Sequence, residues 1–402
     1  CRPGGYLVCE DGISRGLFPE LPERFRGLPV LDRRDRLILP GLTDLHTHAP
    51  QFAFRGLGMD LELLEWLNAR VYPEEEKYSD ERYAKEAYKA MVRSLVKGPN
   101  TRACVFSTVH PQATLILMDL LEASGLVCMA GRVNMDRNCP PSLREESAAA
   151  SLADTRRWLE SCSGRYKNTY PILTPRFIPT CSDELMRGLG DIARELGLPL
   201  QSHLSENRSE VEWVAELCPG SVSYGDAYAG LGAFGGEIPT VMAHGVLSGK
   251  KEMELMKKNG VYLAHCPQSN ANLRSGIAPL RRFLDSGVRI GLGSDVAGGC
   301  HSSIFRAMSD AVEVSKLRYC LAQEDPPVTV MEAFYLGTVG GGSFFGKAGS
   351  FEDGYEFDAL VIDDRELMAP FELSLEERLA RVIYFSQDHN ITDKFVRGRD
   401  IL

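Results

Sequence analysis

The feature that most restricts the fold of this chain is a repeated alternation. Short apolar, β-branched runs are each followed by a longer segment with helical periodicity. Eight runs read as strands, roughly at 38–45, 101–108, 126–131, 170–176, 199–203, 240–244, 261–265 and 288–294. Residues 79–97 predict a helix that begins at Ser79 and carries Tyr83, Ala87, Ala90, Met91 and Leu95 on one side. A second, 248–259, begins at Ser248, turns Met253, Leu255 and Met256 inward and stops at Gly260; a third, 278–286, stops at Gly287. Eight such units over about 300 residues predict an α/β fold, a (β/α)8 TIM barrel, with a doubly wound sheet as the structural alternative.

The two chain ends break this rhythm. They hold short strand-like pieces, such as Tyr6–Cys9, Ala359–Ile362 and Phe395–Val396, among acidic and glycine turns. Neither end is long enough to make a good domain alone. Residues 1–38 and 346–402 are therefore expected to join as one small β-sandwich beside a barrel spanning 39–345.

Bulk properties exclude several functions. With 45 basic and 55 acidic residues the net charge is −10, which disfavours nucleic acid as a partner and suits a small neutral substrate. No stretch approaches the ~18 apolar residues of a membrane span. The 11 cysteines include no C-x-x-C pair, so reduced thiols are expected rather than a disulfide scaffold. The opening CRPGGYLVCEDG has no basic region followed by an apolar core, and a signal peptide is not expected. A cytoplasmic protein fits these features.

The eight histidines are not scattered. His46 and His48 flank Thr47 at the end of the first strand, and residues i and i+2 of a strand point to one side. His203, His244 and His265 end the fifth, sixth and seventh strands, and Asp295 follows GLGS at the end of the eighth. All strand C-termini of a parallel barrel open onto one face, so these residues converge there. Three imidazoles and a carboxylate with one position left for water suit Zn²⁺ or Fe²⁺. The fourth strand ends in Arg176, not in a bridging Lys or Glu, which argues for one metal per chain. Glu206, three residues after His203, is placed to shuttle a proton from the attacking water, or else is the first-turn Glu of a helix starting near Ser205. Glu210 and Glu212 read as solvated helix positions. An H-x-E paired with P-C-x-x-C, a nucleophile elbow and a P-loop are all absent.

The segments PGLTDLHTHAPQ (40–51), LLEWLNARVYPEEEKY (63–78), TPRFIPTCS (174–182), SHLSENRSEVEWV (202–214), MAHGVLS (242–248), AHCPQSNANL (264–273) and GLGSDVAGG (291–299) together resemble guanine deaminases, amidohydrolase-superfamily enzymes of the ATZ/TRZ-like group. The H-T-H, H-x-x-E and S-D elements occur in many deaminases of that superfamily; Gln51, the LLEW segment and Arg176-Phe177 are more discriminating. The resemblance implies zinc held by His46, His48, His203 and Asp295, with His244 at the attacking water and Glu206 as proton shuttle. It implies a purine, guanine, held by Gln51, Arg176 and Phe177 among His48, His203, Glu206 and Asp295. It also implies a homodimer and a place in purine catabolism. The rival readings are a relative acting on 8-oxoguanine, a pterin, an adenosine derivative or a triazine, and a non-catalytic assembly protein related to cyclic-amide hydrolases. Residues before Leu39 carry no part of the resemblance, and His265 stays outside the catalytic set.

Overall fold

The computed structural model describes residues 3–402. Eight parallel strands form the barrel: β1 Leu42–His48, β2 Asn100–Phe106, β3 Val127–Gly131, β4 Thr169–Pro171, β5 Leu200–Leu204, β6 Thr240–His244, β7 Tyr262–His265 and β8 Arg289–Leu292. They pair in the order β5-β6-β7-β8-β1-β2-β3-β4. A parallel bridge between Leu173 and Leu200, with Leu173 N–H donating to Pro199 O at 2.9 Å, closes the ring. The alternation of these strands fills the lumen below the site with Leu45, Cys104, Val241 and Ala264, joined by Ile172 just beyond β4 and by Phe344 from the 3-10 turn Ser343–Phe345. The opposite faces pack against the helices in one larger cluster. Each fully buried large aliphatic or aromatic side chain there contributes roughly 1.5–3 kcal/mol.

Two of the predicted strands are divided. The apolar run 38–45 breaks at Gly41: Leu37–Pro40 leaves the barrel and pairs antiparallel with Ala359–Ile362. A Cβ at Gly41 would lie 2.3 Å from Thr101 Oγ1 and 2.5 Å from Asp358 Cβ, so only glycine permits the two sheets to cross so closely. The run 170–176 likewise gives β4 and a separate pair, Thr174–Pro175 with Val133–Asn134.

The chain ends meet beside the barrel. Arg399–Asp400, Ile391–Val396, Ala359–Ile362 and Leu37–Pro40 form a four-stranded antiparallel sheet. The hairpin Tyr6–Glu10 and Ile13–Phe18 is a two-stranded sheet of its own, tied in where Ser14 N–H donates to Tyr355 O and Phe357 N–H to Gly12 O, both at 2.8 Å.

The helices begin later than their sequence signals. Ser79 closes a preceding 3-10 turn through Glu76 O, and Asp80 caps Glu81–Lys97. That helix buries Ala84, Tyr88, Met91, Val92 and Leu95, while Ala90 is exposed. The next two span Lys250–Asn259 and Leu280–Ser286, and their C-caps Gly260 and Gly287 take the left-handed φ that ends them. No helix among the described residues is long and apolar enough to cross a membrane.

Candidate active site

The C-terminal ends of β1, β5, β6 and β8 bring His46, His48, His203, His244 and Asp295 together, all of them buried. His48 Nε2 lies 3.2 Å from His46 Nε2 and 3.2 Å from His203 Nε2. Asp295 Oδ1 is 3.2 Å from His46 Nε2 and 3.4 Å from His48 Nε2. Two of these residues get there through strained backbone. Val241 and Ala243 face the lumen, so a regular β6 would turn His244 outward; its φ of +78° returns the ring to the cluster. Asp295 has φ +44°. Such conformations cost on the order of 1–3 kcal/mol each and persist where packing enforces them.

The hydrogen bonds of the rings fix which nitrogen faces inward. Nδ1–H of His203 donates to Arg176 O at 2.7 Å, and Nδ1–H of His244 donates to Asn270 Oδ1 at 2.9 Å. Both Nε2 atoms therefore present lone pairs, a tautomer assigned from these partners. Burial, and then the neighbouring His46, hold His48 and His203 well below the ordinary imidazole range. Burial pushes His244 down to about 4. Burial alone would raise Asp295; His46, His244 and His48 reverse that and keep the carboxyl below its usual range.

These features fit a divalent metal ion. Neutral imidazole lone pairs facing one another at 3.2 Å repel unless a cation stands between them. Tetrahedral ligands at about 2.0–2.1 Å from zinc are separated by roughly 3.3 Å, the spacing found here. Below the cluster Asp44, fully buried, accepts from His46 N–H at 3.2 Å, Ser294 N–H at 3.0 Å and Ser294 Oγ–H at 2.6 Å, locking the ends of β1 and β8 together.

A cavity opens directly over the cluster, lined by Gln51, Leu63, Trp66, Arg176, Phe177 and Glu206. The sequence of the chain matches the model of the amidohydrolase family over residues 37–401. The chain belongs to that family. Among amidohydrolases, guanine deaminase of Mus musculus is 37% identical over 376 residues, 90% of this chain and 82% of the mouse protein. Guanine deaminase of Escherichia coli is 32% identical over 389 residues, covering 94% and 85%. The crystal structure of guanine deaminase from C. acetobutylicum with bound guanine in the active site superposes with a TM-score of 0.96. That protein is 43% identical, and the match covers 99% of this chain and 94% of that one.

As an amidohydrolase, the chain keeps its predicted residues on one face. Glu206 Oε2 lies 3.4 Å from His244 Nε2, and Oε1 is buried without a partner. Burial, followed by the charges of Glu210 and Asp295, pushes the Glu206 carboxyl well up. Glu206 is not in the first turn of a helix: the helix starts at Arg208, capped by Asn207. Gln51 Oε1 accepts from Ala297 N–H at 3.2 Å, which leaves its NH₂ as a donor. Arg176 is fully buried; its Nη1 grips both oxygens of Glu75 at 3.0 and 2.8 Å, and its guanidinium lies 5.3 Å from the Tyr72 ring centre. Phe177 meets His203 edge-on, with ring centres 6.4 Å apart.

Four residues of the site escaped the sequence reading. Glu75 sits in YPEEEKY, which looks like a solvated charge run, yet it is 1% exposed. Asn270 follows the histidine-cysteine-proline of 265–267 with only its amide as a signal. Asp44 precedes the H-T-H. Glu210, expected in solvent, is instead 1% exposed, and burial pushes it up to about 7 against the pull of its hydrogen bonds. Glu212 is exposed as expected. His265 is fully buried, and neither ring nitrogen has a hydrogen-bond partner.

Proposed function

We propose that this chain deaminates guanine to xanthine and ammonia, with zinc held by His46, His48, His203 and Asp295. One observation carries the reading: a buried carboxyl, Glu206, and two donor-bearing side chains, Gln51 and Arg176, line one cavity over the histidine cluster. Donors recognise acceptors. Guanine offers O6 and N7, whereas adenine would set its own exocyclic NH₂ against a donor. Phe177 walls the flat ring, and the sequence relatives at 32–37% identity are guanine deaminases.

When bound, zinc lowers the pKa of water toward neutrality and withdraws electrons from the reacting centre. The Nε2 lone pair of His244, set by the bond of Nδ1 to Asn270, orients the attacking water. Glu206 takes a proton from that water and delivers it to ring N3, which makes C2 electrophilic. Oxygen then bonds to C2, Glu206 takes the remaining proton of that oxygen and passes it to the exocyclic amine, and the C2–N bond breaks as the C2 carbonyl forms, releasing ammonia. The same proposal includes one metal per chain with Fe²⁺ as the alternative ion, a homodimer, and a cytoplasmic role in purine catabolism.

The test is ammonia release by zinc-loaded protein from guanine, 8-oxoguanine, adenine, cytosine and a pterin in parallel. Turnover of guanine above all others is expected. Activity confined to another heterocycle would retain the metal chemistry and overturn the pocket assignment.

A further inference from the structure

The turn that carries Glu206 rests on two buried carboxylates. Ser205, at its start, has φ +47°, a strained conformation for a residue with a Cβ. Glu206 N–H donates to Glu210 Oε2 at 3.0 Å, and Asn207 N–H reaches the same oxygen at 3.3 Å. The other oxygen, Oε1, accepts from Tyr224 OH at 2.9 Å. On the far side, Ser205 Oγ–H donates to Glu252 Oε2 at 2.8 Å, and Gly225 N–H donates to Glu252 Oε1 at 2.6 Å. Glu210 is 1% exposed and Glu252 2%. The donors are all neutral groups, and burying two carboxylates on that footing is costly.

Part of this arrangement is ordinary helix capping. Asn207 and Glu210 form a capping box at the start of Arg208–Leu217. A capping box, however, needs only the N–H of the N-cap residue. Here the same oxygen also holds the N–H of Glu206, one residue earlier, and Tyr224 fixes the carboxylate from behind. Glu252 belongs to a different helix, Lys250–Asn259, and serves no cap of Arg208–Leu217; it holds Ser205. A Cβ on Gly225 would come within 3.2 Å of Glu252 Oε1, so this approach is also built into the backbone.

We propose that Glu210 and Glu252 are positioning residues for deamination, clamping the Ser205–Asn207 turn from both sides so that the Glu206 carboxylate stays aimed at His244 and the substrate. The proposal rests on the reading of Glu206 as the proton shuttle. Displacing a proton carrier by about 1 Å is enough to cost roughly 100-fold in rate.

The experiment compares zinc-loaded Glu210→Leu, Glu210→Gln, Tyr224→Phe and Glu206→Gln with the unaltered protein, reading kcat, KM for guanine and bound zinc. Glu210→Leu is expected to lower kcat roughly 100-fold, with zinc content unchanged and KM within about threefold. Glu210→Gln, which keeps an acceptor oxygen for the two N–H groups, is expected to restore kcat to within about tenfold of the unaltered protein. Should Glu210→Leu fail to fold, Tyr224→Phe carries the test, with a several-fold fall in kcat at constant KM. Unchanged kcat per zinc-loaded molecule in Glu210→Leu, or in Tyr224→Phe where that variant stands in, overturns the clamp. So does a Gln variant as damaged as the Leu variant, or a loss confined to KM or zinc. Full activity in Glu206→Gln would instead condemn the shuttle reading on which the clamp depends.

Discussion

At the N-terminal end of the barrel two basic side chains, Arg102 and Lys394, are buried beside the chain-end sheet, and both find partners there, although Nη1 of Arg102 is buried without one. Arg102 Nε donates to Asp358 Oδ2 and Nη2 to Glu356 Oε2, each at 2.6 Å. Nζ of Lys394, whose pKa burial pushes down to about 7, donates to the carbonyls of Leu95, Val96 and Gly98 at 2.8–3.1 Å, closing the C-terminus of Glu81–Lys97. At the C-terminal end the arrangement is reversed. Imidazole nitrogens crowd together at 3.2 Å, and Glu206 Oε1 and His244 Nε2 are buried with no hydrogen-bond partner. Polar groups that satisfy one another hold a fold; polar groups that converge without satisfying one another wait for a metal, water and substrate. The two ends of one barrel thus divide stability from chemistry, as the fold allows.

Breaking this contrast has effects of very different size. Stripping the metal with a chelator should take ammonia release to background and lower the melting temperature, and zinc should restore both. Replacing Arg102 with Met leaves the buried Asp358 carboxylate without its guanidinium partner, and should cost about 3–5 kcal/mol of stability in denaturant unfolding, with kcat per folded molecule unchanged. Arg176→Lys keeps the charge but loses the planar fork, and should reduce kcat/KM for guanine by about 10- to 100-fold at full zinc content. The smallest effect is at the surface. Arg281 pairs with Glu332 at 2.8 Å and holds its carboxyl down to about 2. A depressed carboxylate stabilises above its unfolded pKa of ~4.3 and loses that contribution as pH falls toward 2. Because the pair is partly exposed, Glu332→Gln should remove no more than about 1 kcal/mol at pH 7 and almost nothing at pH 2 in unfolding titrations.

The barrel and its histidine cluster were legible in the sequence because both follow short-range rules. Strand periodicity is local, and a histidine at a strand end is conspicuous in an apolar run. The break at Gly41 was not legible, since ILPGLTDL is continuously apolar and the boundary is set by how closely Thr101 and Asp358 approach. Glu210 and Glu252 were hidden for a similar reason. Charged residues on helices usually face solvent, and here the start of the helix Tyr224–Gly230 folds over them. Glu75 is indistinguishable in the sequence from Glu74 and Glu76 beside it until Arg176 arrives from a strand end about a hundred residues away. In each case the missing information lay in a long-range contact.

The most direct test of the central claim is xanthine formation from guanine by Glu206→Gln protein carrying one zinc per chain. The site described here predicts retained zinc, retained guanine binding and a rate lowered about 10²- to 10⁴-fold. A zinc-replete Glu206→Gln protein that turns over guanine at the unaltered rate would contradict it.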